Sequence, residues 1–445
     1  MTRALRGLRF WLGTLSTPRL LLLGYGVYML AGWALLALPL AQSEPVRLID
    51  SLFIAVSAVS TTGLVSIDPG GSFNLFGEIV ILALIQAGGL GYMTLGSIAA
   101  LALKRRLSLA QQHAALGAFG LPADFDLRRF LREIGGFVLC VEAAGAVLLW
   151  ILFARAGVEN ALWNGIFHSV SAFCTAGFGL FANSLEDFRA DTAVNLVVAV
   201  LAYLGAIGFL VFADIWENLR RRRHALGFVS RVILVTTLAF SAFGTLLLYF
   251  VEPTIAALSG GDRLLAAFFQ AMTATTTVGF NTVPMGPLAV GSVMVMYLLM
   301  MFGASPAGTG GGLKSTTLAT LVALVVATLR GQTRVSVLGH AVPPDRIQLA
   351  AASISFYVLV LFVAVFGLAW FEDVPLEALA FEAISAIGTV GLSTGVTGGL
   401  TDFGKATIIA LMFMGRVGVL TFGLALAANV RRGPGERAGP DDLIY

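Results

Sequence analysis

The same short phrase occurs four times in this 445-residue chain. Each copy ends in Thr-x-Gly, and the tenth residue before the glycine is always phenylalanine: 53–63, 167–177, 269–279 and 381–391. The sixth residue before each glycine carries a hydroxyl and the fifth is alanine; the hydroxyl residues are Ser57, Ser171, Thr273 and Ser385. A repeat of this kind indicates one structural unit used four times. Four equivalent backbone strands are what a pore needs to surround a dehydrated cation with oxygen atoms.

The composition places these units in a membrane. Hydrophobic residues make up 58% of the chain and charged residues only 12%, whereas a soluble protein carries about 25% charged residues. An α-helix needs about 20 apolar residues to cross the hydrocarbon core of a bilayer. Six stretches of that length or longer contain no Asp, Glu, Lys or Arg: 20–43, 79–103, 192–213, 232–251, 264–313 and 347–371. We therefore predict a multi-pass integral membrane protein whose first apolar run is a retained helix and not a cleaved signal peptide.

The basic residues predict the orientation of the chain. Of the 28 Lys and Arg residues, 21 fall in five clusters: 3–19, 104–132, 220–231, 330–346 and 431–437. By the positive-inside rule these clusters are cytoplasmic, and so are both termini. Every Thr-x-Gly phrase then lies on the opposite side of the membrane, between two spans.

This topology predicts an all-α membrane fold with pseudo-four-fold symmetry. Four units of span, re-entrant pore helix and span surround one central pore, which gives eight transmembrane helices. The expected spans are 20–40, 77–102, 134–154, 192–215, 230–251, 289–329, 349–371 and 405–428. The unit boundaries are 1–103, 104–226, 227–335 and 336–445, so no soluble domain remains.

Each phrase combines a half-length apolar helix with a non-helical segment. Non-helical backbone at membrane depth is tolerated where it lines a cavity, and glycine permits the backbone angles that turn successive carbonyl groups to one side. Small residues also serve close helix packing, but four copies in register favour a selectivity filter, with K⁺ held at its backbone carbonyls. The predicted filter residues are Ser60, Thr61, Thr62, Gly63, Cys174, Thr175, Ala176, Gly177, Thr276, Thr277, Val278, Gly279, Gly388, Thr389, Val390 and Gly391.

Thr-x-Gly is a shortened form of the Thr-Val-Gly-Tyr-Gly filter of tetrameric K⁺ channels. Four such units fused in one chain resemble the Trk/Ktr/HKT superfamily of potassium transporters, over residues 15–430, and the short N-terminus is closest to the bacterial KtrB-type membrane subunit. The resemblance implies potassium uptake across the bacterial cytoplasmic membrane. A TrkH-type or less selective K⁺/Na⁺ translocating subunit is the alternative. All four filter glycines are present, which favours K⁺, but only one glycine per strand predicts fewer binding sites in series than in a K⁺ channel.

The resemblance also implies partners. Besides membrane lipid, these are a second copy of the chain, in a homodimer with one pore per protomer, and a cytosolic ring of Rossmann-type (RCK) subunits that binds ATP or ADP and moves the gate. No nucleic acid and no organic cofactor are expected on this chain. Whether Na⁺ accompanies K⁺ is left open.

The second span of the third unit contains a predicted gate. Pro306 and five glycines within residues 303–312 cannot sustain a helix in mid-span. The corresponding places in the other units are only mildly rich in glycine, so we expect this interruption in the third unit alone. It resembles the intramembrane loop of the superfamily, and its setting does not fit a phosphate-binding loop. The predicted gate residues are Gly303, Ala304, Ser305, Pro306, Ala307, Gly308, Thr309, Gly310, Gly311, Gly312, Lys314 and Arg416.

Arg416 falls near the centre of the last predicted span, where an uncompensated cation costs at least about 3 kcal/mol. The superfamily resemblance implies an electrostatic barrier below the filter that contacts the loop; a structural ion pair is the alternative. Lys314 either caps backbone carbonyls or influences the ion. Three acids in predicted membrane segments, Glu78, Glu142 and Glu382, are expected to make structural hydrogen bonds. Asp50 is expected to cap the first pore helix.

Two other classes of function fit less well. A membrane-embedded enzyme needs clustered nucleophiles, acids or histidines, but the chain has four scattered histidines and two cysteines, Cys140 and Cys174, without metal-ligand spacing. A transporter built from inverted repeats would not show four repeats of the same orientation. We therefore expect no enzyme activity.

Overall fold

A computed structural model describes residues 17–103, 127–221, 226–303, 305–306 and 308–427. The described chain is mostly helical, as the sequence predicts, and the described strands form one antiparallel hairpin, β1 (Ser336–Val337) and β2 (His340–Ala341). The helices longer than four residues are α1 (Thr17–Leu36), α2 (Leu48–Val59), α3 (Leu75–Leu103), α4 (Leu127–Arg155), α5 (Ala161–Phe173), α6 (Thr192–Ile207), α7 (Phe209–Arg221), α8 (Phe228–Val251), α9 (Gly260–Thr276), α10 (Val290–Met301), α11 (Ser315–Leu329), α12 (Pro344–Phe371), α13 (Leu376–Gly388), α14 (Asp402–Val417) and α15 (Val419–Ala427).

Among the described residues, three helical stretches are long and apolar enough to cross a membrane: Ile134–Arg155, Phe228–Val251 and Pro344–Phe371. Three other apolar helices are shorter because breaks divide the spans predicted from sequence: Thr192–Ile207, Val290–Met301 and Ser315–Leu329. Most of the basic residues used to predict orientation, such as those at 104–106 and 431–437, lie outside the described residues.

Two predicted spans are not continuous. The span expected at 192–215 is divided into α6 and α7 at Gly208, and the span expected at 405–428 into α14 and α15 at Gly418. Both glycines have positive φ angles, 86° and 93°, which only glycine adopts without strain. The expectation that only the third unit is interrupted is therefore wrong, because one glycine is enough to end a helix.

The long interruption predicted in the third unit is present. Helix α10 ends at Met301 and α11 begins at Ser315. Near the two ends of the intervening segment, Phe302 and Leu313 form a parallel β-bridge. The segment from 302 to 314, which we call the intramembrane loop, thus leaves the helix and returns close to where it left.

Four short helices, α2, α5, α9 and α13, end at the Thr-x-Gly phrases, and their lengths are 12, 13, 17 and 13 residues. The phenylalanine of each phrase is completely buried: Phe53, Phe167, Phe269 and Phe381. These helices therefore form the centre of the packed structure, and we call them the pore helices.

The helix that follows each phrase also contacts the next pore helix in the series. Helix α3 packs on α5, α6 on α9, α10 on α13, and α14 returns to α2. The four contacts form a closed cycle, in which the last segment of the chain packs on the first.

Candidate functional site

Each pore helix ends in the same hydrogen-bonded turn. The threonine N–H of each phrase donates to the alanine carbonyl three residues back, at 3.1–3.4 Å. The N–H of the next residue donates to the backbone carbonyl of the Ser or Thr five residues back, at 2.8–3.1 Å. This pair of bonds defines a Schellman turn, whose left-handed residue is usually glycine. Here it is threonine every time, with φ between 50° and 59°: Thr61, Thr175, Thr277 and Thr389.

The glycine two residues later has a positive φ in every copy, 90° at Gly63, 65° at Gly177, 81° at Gly279 and 94° at Gly391. The intervening residue does not. Left-handed and ordinary backbone angles thus alternate along the phrase, which turns successive carbonyl groups toward one side. Four non-glycine residues in the left-handed region at one place make this a candidate functional site, because each such residue costs about 1 kcal/mol or more.

The four glycines pack against one another's segments in a ring. A Cβ atom placed on Gly63 would lie 2.3 Å from the carbonyl oxygen of Ala176, one on Gly177 2.5 Å from that of Val278, one on Gly279 2.2 Å from that of Val390, and one on Gly391 2.1 Å from that of Thr62. Each phrase therefore touches the next, and the fourth touches the first. No side chain fits at any of these four positions unless the backbone moves.

The hydroxyl residue that recurs six positions before each glycine supports this ring in two of its four members. The side-chain oxygen of Ser57 accepts from the amide of Gly63, and that of Ser385 accepts from Gly391, both at 3.1 Å. The hydroxyls of Ser171 and Thr273 have no hydrogen-bond partner among the described residues. The backbone is thus close to four-fold, whereas the side-chain support is not.

On one face of the ring lies a cavity of about 510 Å³, which we call the vestibule. Its lining includes all four glycines and parts of the loops that follow them, around Ser66, Ala182, Pro284 and Thr394. The side chain after each glycine points away into the core: Leu64, Phe178, Phe280 and Leu392 are at most 1% exposed. The approach to the ring is therefore lined by the glycine backbone, by polar residues such as Ser66 and Thr394, and by apolar residues such as Val65 and Phe181.

The intramembrane loop lies against the opposite face, at the threonine hydroxyls. The carbonyl oxygen of Thr309 accepts from the Thr61 hydroxyl at 3.4 Å, and the Thr309 hydroxyl lies 3.0 Å from that of Thr175. The amide of Gly311 donates to the Thr389 hydroxyl at 2.8 Å. The loop thus engages three of the four ring threonines. The fourth, Thr277, packs its methyl group where a side chain on Gly303 would lie.

The end of helix α6 holds the loop in this position. The hydroxyl of Ser305 donates to the carbonyl oxygen of Ile207 at 2.5 Å, and its amide to that of Ala206 at 3.0 Å. The amide of Thr309 donates to the carbonyl oxygen of Gly205 at 3.1 Å. The last carbonyls of a helix have no partner within it, so the break at Gly208 is what makes these acceptors available. We call this set of bonds the latch.

Arg416 reaches the same place from the end of α14. Its Nη1 donates to the Thr61 hydroxyl at 2.8 Å and also to the Thr309 carbonyl oxygen, and its Nη2 donates to the carbonyl oxygen of Gly88. The side chain is 4% exposed, and no carboxylate lies within ion-pair distance in the described part of the chain. A buried positive charge with only neutral acceptors therefore lies beside the ring.

The structure places the remaining predicted gate residues around this contact. The Nζ of Lys314 donates to the carbonyl oxygens of Gly310 and Gly311, at 2.9 and 3.5 Å, so it caps the backbone of the loop. Gly312 has a φ of 65° and approaches the backbone of Gly388. Pro306 and Gly308 belong to the turn closed by the Gly308 amide on the Ser305 carbonyl. Ala304 and Ala307 lie outside the described residues.

Sequence reasoning missed the ion pairs where the last segment meets the first. Asp50 does not cap its helix; its Oδ1 lies 2.6 Å from the Nζ of Lys405, and both side chains are about 5% exposed. A second, exposed ion pair joins the same two helices: the Nη2 of Arg47 lies 2.5 Å from the Oδ1 of Asp402. Asp50 lies in the first turn of α2, where a carboxylate can cap the helix, but its side chain binds the buried ammonium group of Lys405 instead of the backbone N–H groups. These pairs, which we call the seam, join α2 to α14.

Replacing Asp50 with asparagine is expected to lower the free energy of unfolding by about 3 kcal/mol or more, because Lys405 would keep a buried charge without its partner. Thermal unfolding of the purified protein in detergent measures the loss. Asp402→Asn, which breaks only the exposed pair, is the matched control and should cost less than about 1 kcal/mol. Equal losses in the two variants would contradict this assignment.

The three acids make the hydrogen bonds expected of them; Glu142 and Glu382 are buried and Glu78 is half-buried. The Nε1 of Trp163 donates to Glu78 at 2.5 Å, and the Nε2 of Gln86 donates to Glu142 at 3.1 Å. Glu382 accepts from the loop beyond the fourth glycine. No group of three or more His, Cys, Asp or Glu that could hold a metal ion occurs among the described residues.

Residues 30–432 match the TrkH family, described as cation transport protein. The chain is 35% identical over 431 residues to Ktr system potassium uptake protein B of Bacillus subtilis, covering 95% of this chain and 96% of that protein. It is 32% identical to potassium/sodium uptake protein NtpJ of Enterococcus hirae, covering 97% of each. The crystal structure of the potassium transporter TrkH from Vibrio parahaemolyticus has the same fold, with a TM-score of 0.75 at 21% identity over 94% of this chain and 86% of that one. The chain belongs to the TrkH family of cation transport proteins.

Proposed function

We propose that this protein takes up potassium ions through the ring of Thr-x-Gly segments. The closed ring carries the proposal: every phrase has the same alternating backbone, and each glycine lies against a carbonyl oxygen of the neighbouring phrase. Backbone carbonyls around a common centre replace the hydration shell of K⁺. The similarity to a potassium uptake protein over nearly the whole chain supports K⁺ as the ion.

We assign the architecture accordingly. Four units, with boundaries at 103, 226 and 335, contribute eight transmembrane segments and four pore helices around one pore. The vestibule faces outward and the intramembrane loop faces the cytoplasm, with both termini inside, in the cytoplasmic membrane of a bacterium. The cycle of helix contacts supports the unit arrangement, and the distribution of basic residues supports the orientation.

The intramembrane loop and Arg416 act together as the gate. The loop occupies the face of the ring through which an ion would leave, and Arg416 adds a positive charge at the same point. An ion passes only when Thr309 and Gly311 leave the ring threonines. Movement of the loop also breaks the latch, so the gate is controlled by helix α6 as well as by α10 and α11.

A second copy of the chain and a cytosolic nucleotide-binding ring of RCK type complete the system in this proposal. The Bacillus subtilis relative is named protein B of a Ktr system, which supports an assembly of more than one component. A partner that displaces the cytoplasmic end of α11 would reach the loop directly, since α11 begins at Ser315, where the loop ends.

Potassium flux into proteoliposomes containing the purified protein tests the proposal. An inward gradient of K⁺ should drive accumulation of K⁺ inside the vesicles, and vesicles without the protein should not accumulate it. Expression in a bacterium deficient in potassium uptake should restore growth at low K⁺. Protein present in the membrane without flux in either assay would contradict the proposal.

Loosening the latch should open the gate. Ser305→Ala removes the hydrogen bond to Ile207 without changing the backbone, and we expect the rate of K⁺ uptake to rise about fivefold, since a buried hydrogen bond contributes about 1 kcal/mol. Single-time-point uptake in proteoliposomes measures the change. Ser315→Ala is the control, because the buried hydroxyl of Ser315 has no partner among the described residues. Equal rates in both variants would show that the latch does not restrain the loop.

Joint transport of K⁺ and Na⁺ is the second candidate. Each Thr-x-Gly ends in a single glycine that is followed by a buried apolar side chain, so the ring offers fewer sites in series than the longer filter of K⁺ channels. The similarity to a potassium/sodium uptake protein supports this candidate. Competition of Na⁺ with K⁺ flux in the same vesicles distinguishes the two.

A further inference from the structure

Glu382 makes a compact set of hydrogen bonds just beyond the ring. It lies on pore helix α13, directly after the motif phenylalanine, and its side chain is fully buried. Its Oε1 accepts from the Ser393 hydroxyl at 2.8 Å and from the Thr394 amide and hydroxyl at 2.9 and 3.0 Å. Its Oε2 accepts from the Thr397 hydroxyl at 2.5 Å. One carboxyl group thus receives four donors from a single loop.

That loop forms the wall of the vestibule next to the fourth glycine. Ser393, Thr394 and Thr397 all line the cavity, and Ser393 follows Gly391 by two residues. The Ser393 hydroxyl also accepts from the Gly395 amide at 2.9 Å and lies 3.2 Å from the Thr397 hydroxyl. The carboxyl group therefore ties the pore helix to the first residues that an incoming ion would meet.

The other three pore helices do not have this arrangement. The equivalent residues are Ile54, which is apolar, His168, which stacks against Phe181 and Phe280 at centroid distances of 4.6 and 5.7 Å, and Gln270. The amide of Gln270 makes one bond, to the carbonyl oxygen of Val283 at 3.2 Å. Only in the fourth segment does a buried acidic group organise the loop, so the vestibule is asymmetric at this point.

A buried carboxyl group is retained only where its partners compensate for the loss of water. Here all four hydrogen-bond donors to the carboxyl group belong to the vestibule wall, and none belongs to the lipid-facing helices. A packing role alone would be served by an apolar residue, as Ile54 shows in the first segment. The donors instead need a negative or strongly accepting group to hold them in one conformation.

We infer that Glu382 is a positioning residue for ion entry, which fixes the vestibule wall at residues 393–397 and so sets the apparent affinity for K⁺. The inference rests on the proposed potassium uptake through the ring. With the carboxyl group removed, three hydroxyls and one amide lose their acceptor, and the wall beside Gly391 adopts other conformations. Ions then enter a less ordered site, while the ring and the gate on the opposite face keep their contacts.

Initial rates of K⁺ uptake into proteoliposomes, measured over a range of K⁺ concentrations, test this role. For Glu382→Ala we expect the half-saturating K⁺ concentration to rise about tenfold, with the maximal rate per folded protein within about twofold of the unsubstituted chain. Glu382→Gln keeps one acceptor oxygen and should raise it about threefold. Gln270→Ala, at the equivalent position of the third segment, is the matched control and should change it less than about twofold.

Thr397→Val keeps the inference testable if Glu382→Ala does not fold. It removes one donor from the wall and leaves the pore helix intact, and a rise in half-saturation of about threefold is expected. Half-saturation within twofold of the unsubstituted chain in both Glu382→Gln and Thr397→Val would overturn the inference. So would a lower maximal rate at unchanged half-saturation, which a purely structural role predicts. Absence of flux in the unsubstituted protein would instead contradict the proposed function itself.

Discussion

Gly279→Ala is expected to abolish selective potassium uptake. A Cβ at this position would lie 2.2 Å from the carbonyl oxygen of Val390, and the φ angle of 81° is one that alanine rarely adopts. Backbone on both sides prevents a simple side-chain adjustment, so the carbonyl of the neighbouring phrase must move away. We expect K⁺ flux to fall more than tenfold and the unfolding free energy to fall by about 1–3 kcal/mol.

Gly399→Ala provides the control for this prediction. Gly399 lies in the loop after the fourth ring segment, its φ is not positive, and nothing lies within 4 Å of a Cβ placed there. Its flux and selectivity should match those of the unsubstituted chain. Selective uptake at a normal rate by the Gly279→Ala protein would exclude the ring as the path of the ion.

Arg416→Gln is expected to raise the rate of potassium uptake roughly tenfold or more. The Nη1 atom lies 2.8 Å from the Thr61 hydroxyl, so an ion coordinated by that hydroxyl would be roughly 5 Å from the guanidinium group. Two like charges at that distance repel by about 3 kcal/mol at an effective dielectric constant of 20, equivalent to about a hundredfold in rate. Loss of the bond to Thr309 also weakens the hold on the loop.

Arg416→Lys retains the charge and separates the two effects. If the barrier is electrostatic, the lysine variant should transport at a rate within about threefold of the unsubstituted protein, while the glutamine variant is much faster. Proteoliposome flux and thermal unfolding should be measured on the same preparations. A well-folded Arg416→Gln protein with unchanged or reduced flux would show that Arg416 supports the fold and does not oppose the ion.

Much of the fold is predictable because it depends on local composition. Uncharged stretches of bilayer length, the Gly- and Pro-rich interruption after Met301 and the repeated helix ends are all visible in the chain, and the family comparison confirms the resemblance to potassium transporters that these features indicated. The helix breaks at Gly208 and Gly418 were not predicted. A single glycine within an apolar stretch is common, and only tertiary partners decide whether the helix continues.

The contacts between distant segments could not be predicted from the sequence, because they too depend on tertiary packing. Nothing near Asp50 in sequence indicates Lys405, since the two are joined only when the last segment packs on the first. The latch likewise forms only because α6 ends next to Ser305, which lies 98 residues after Ile207 in the sequence. One local signal was available, however: threonine directly after an apolar helix and two residues before glycine, four times over, indicates a helix terminated by a left-handed residue other than glycine.

The seam has a consequence for how the protein is made. Asp50 and Lys405 are 355 residues apart, so at a synthesis rate of roughly 5–20 residues per second the acid waits roughly 20–70 s for its partner. During that time the first pore helix lacks helix α14, and the carboxyl group of Asp50 must stay hydrated because its ammonium partner is absent. The ring therefore cannot close during synthesis of the first three units. Ribosome-bound chains truncated before residue 402 are expected to leave Asp50 accessible to water, and release of the full chain should remove that access in one late step.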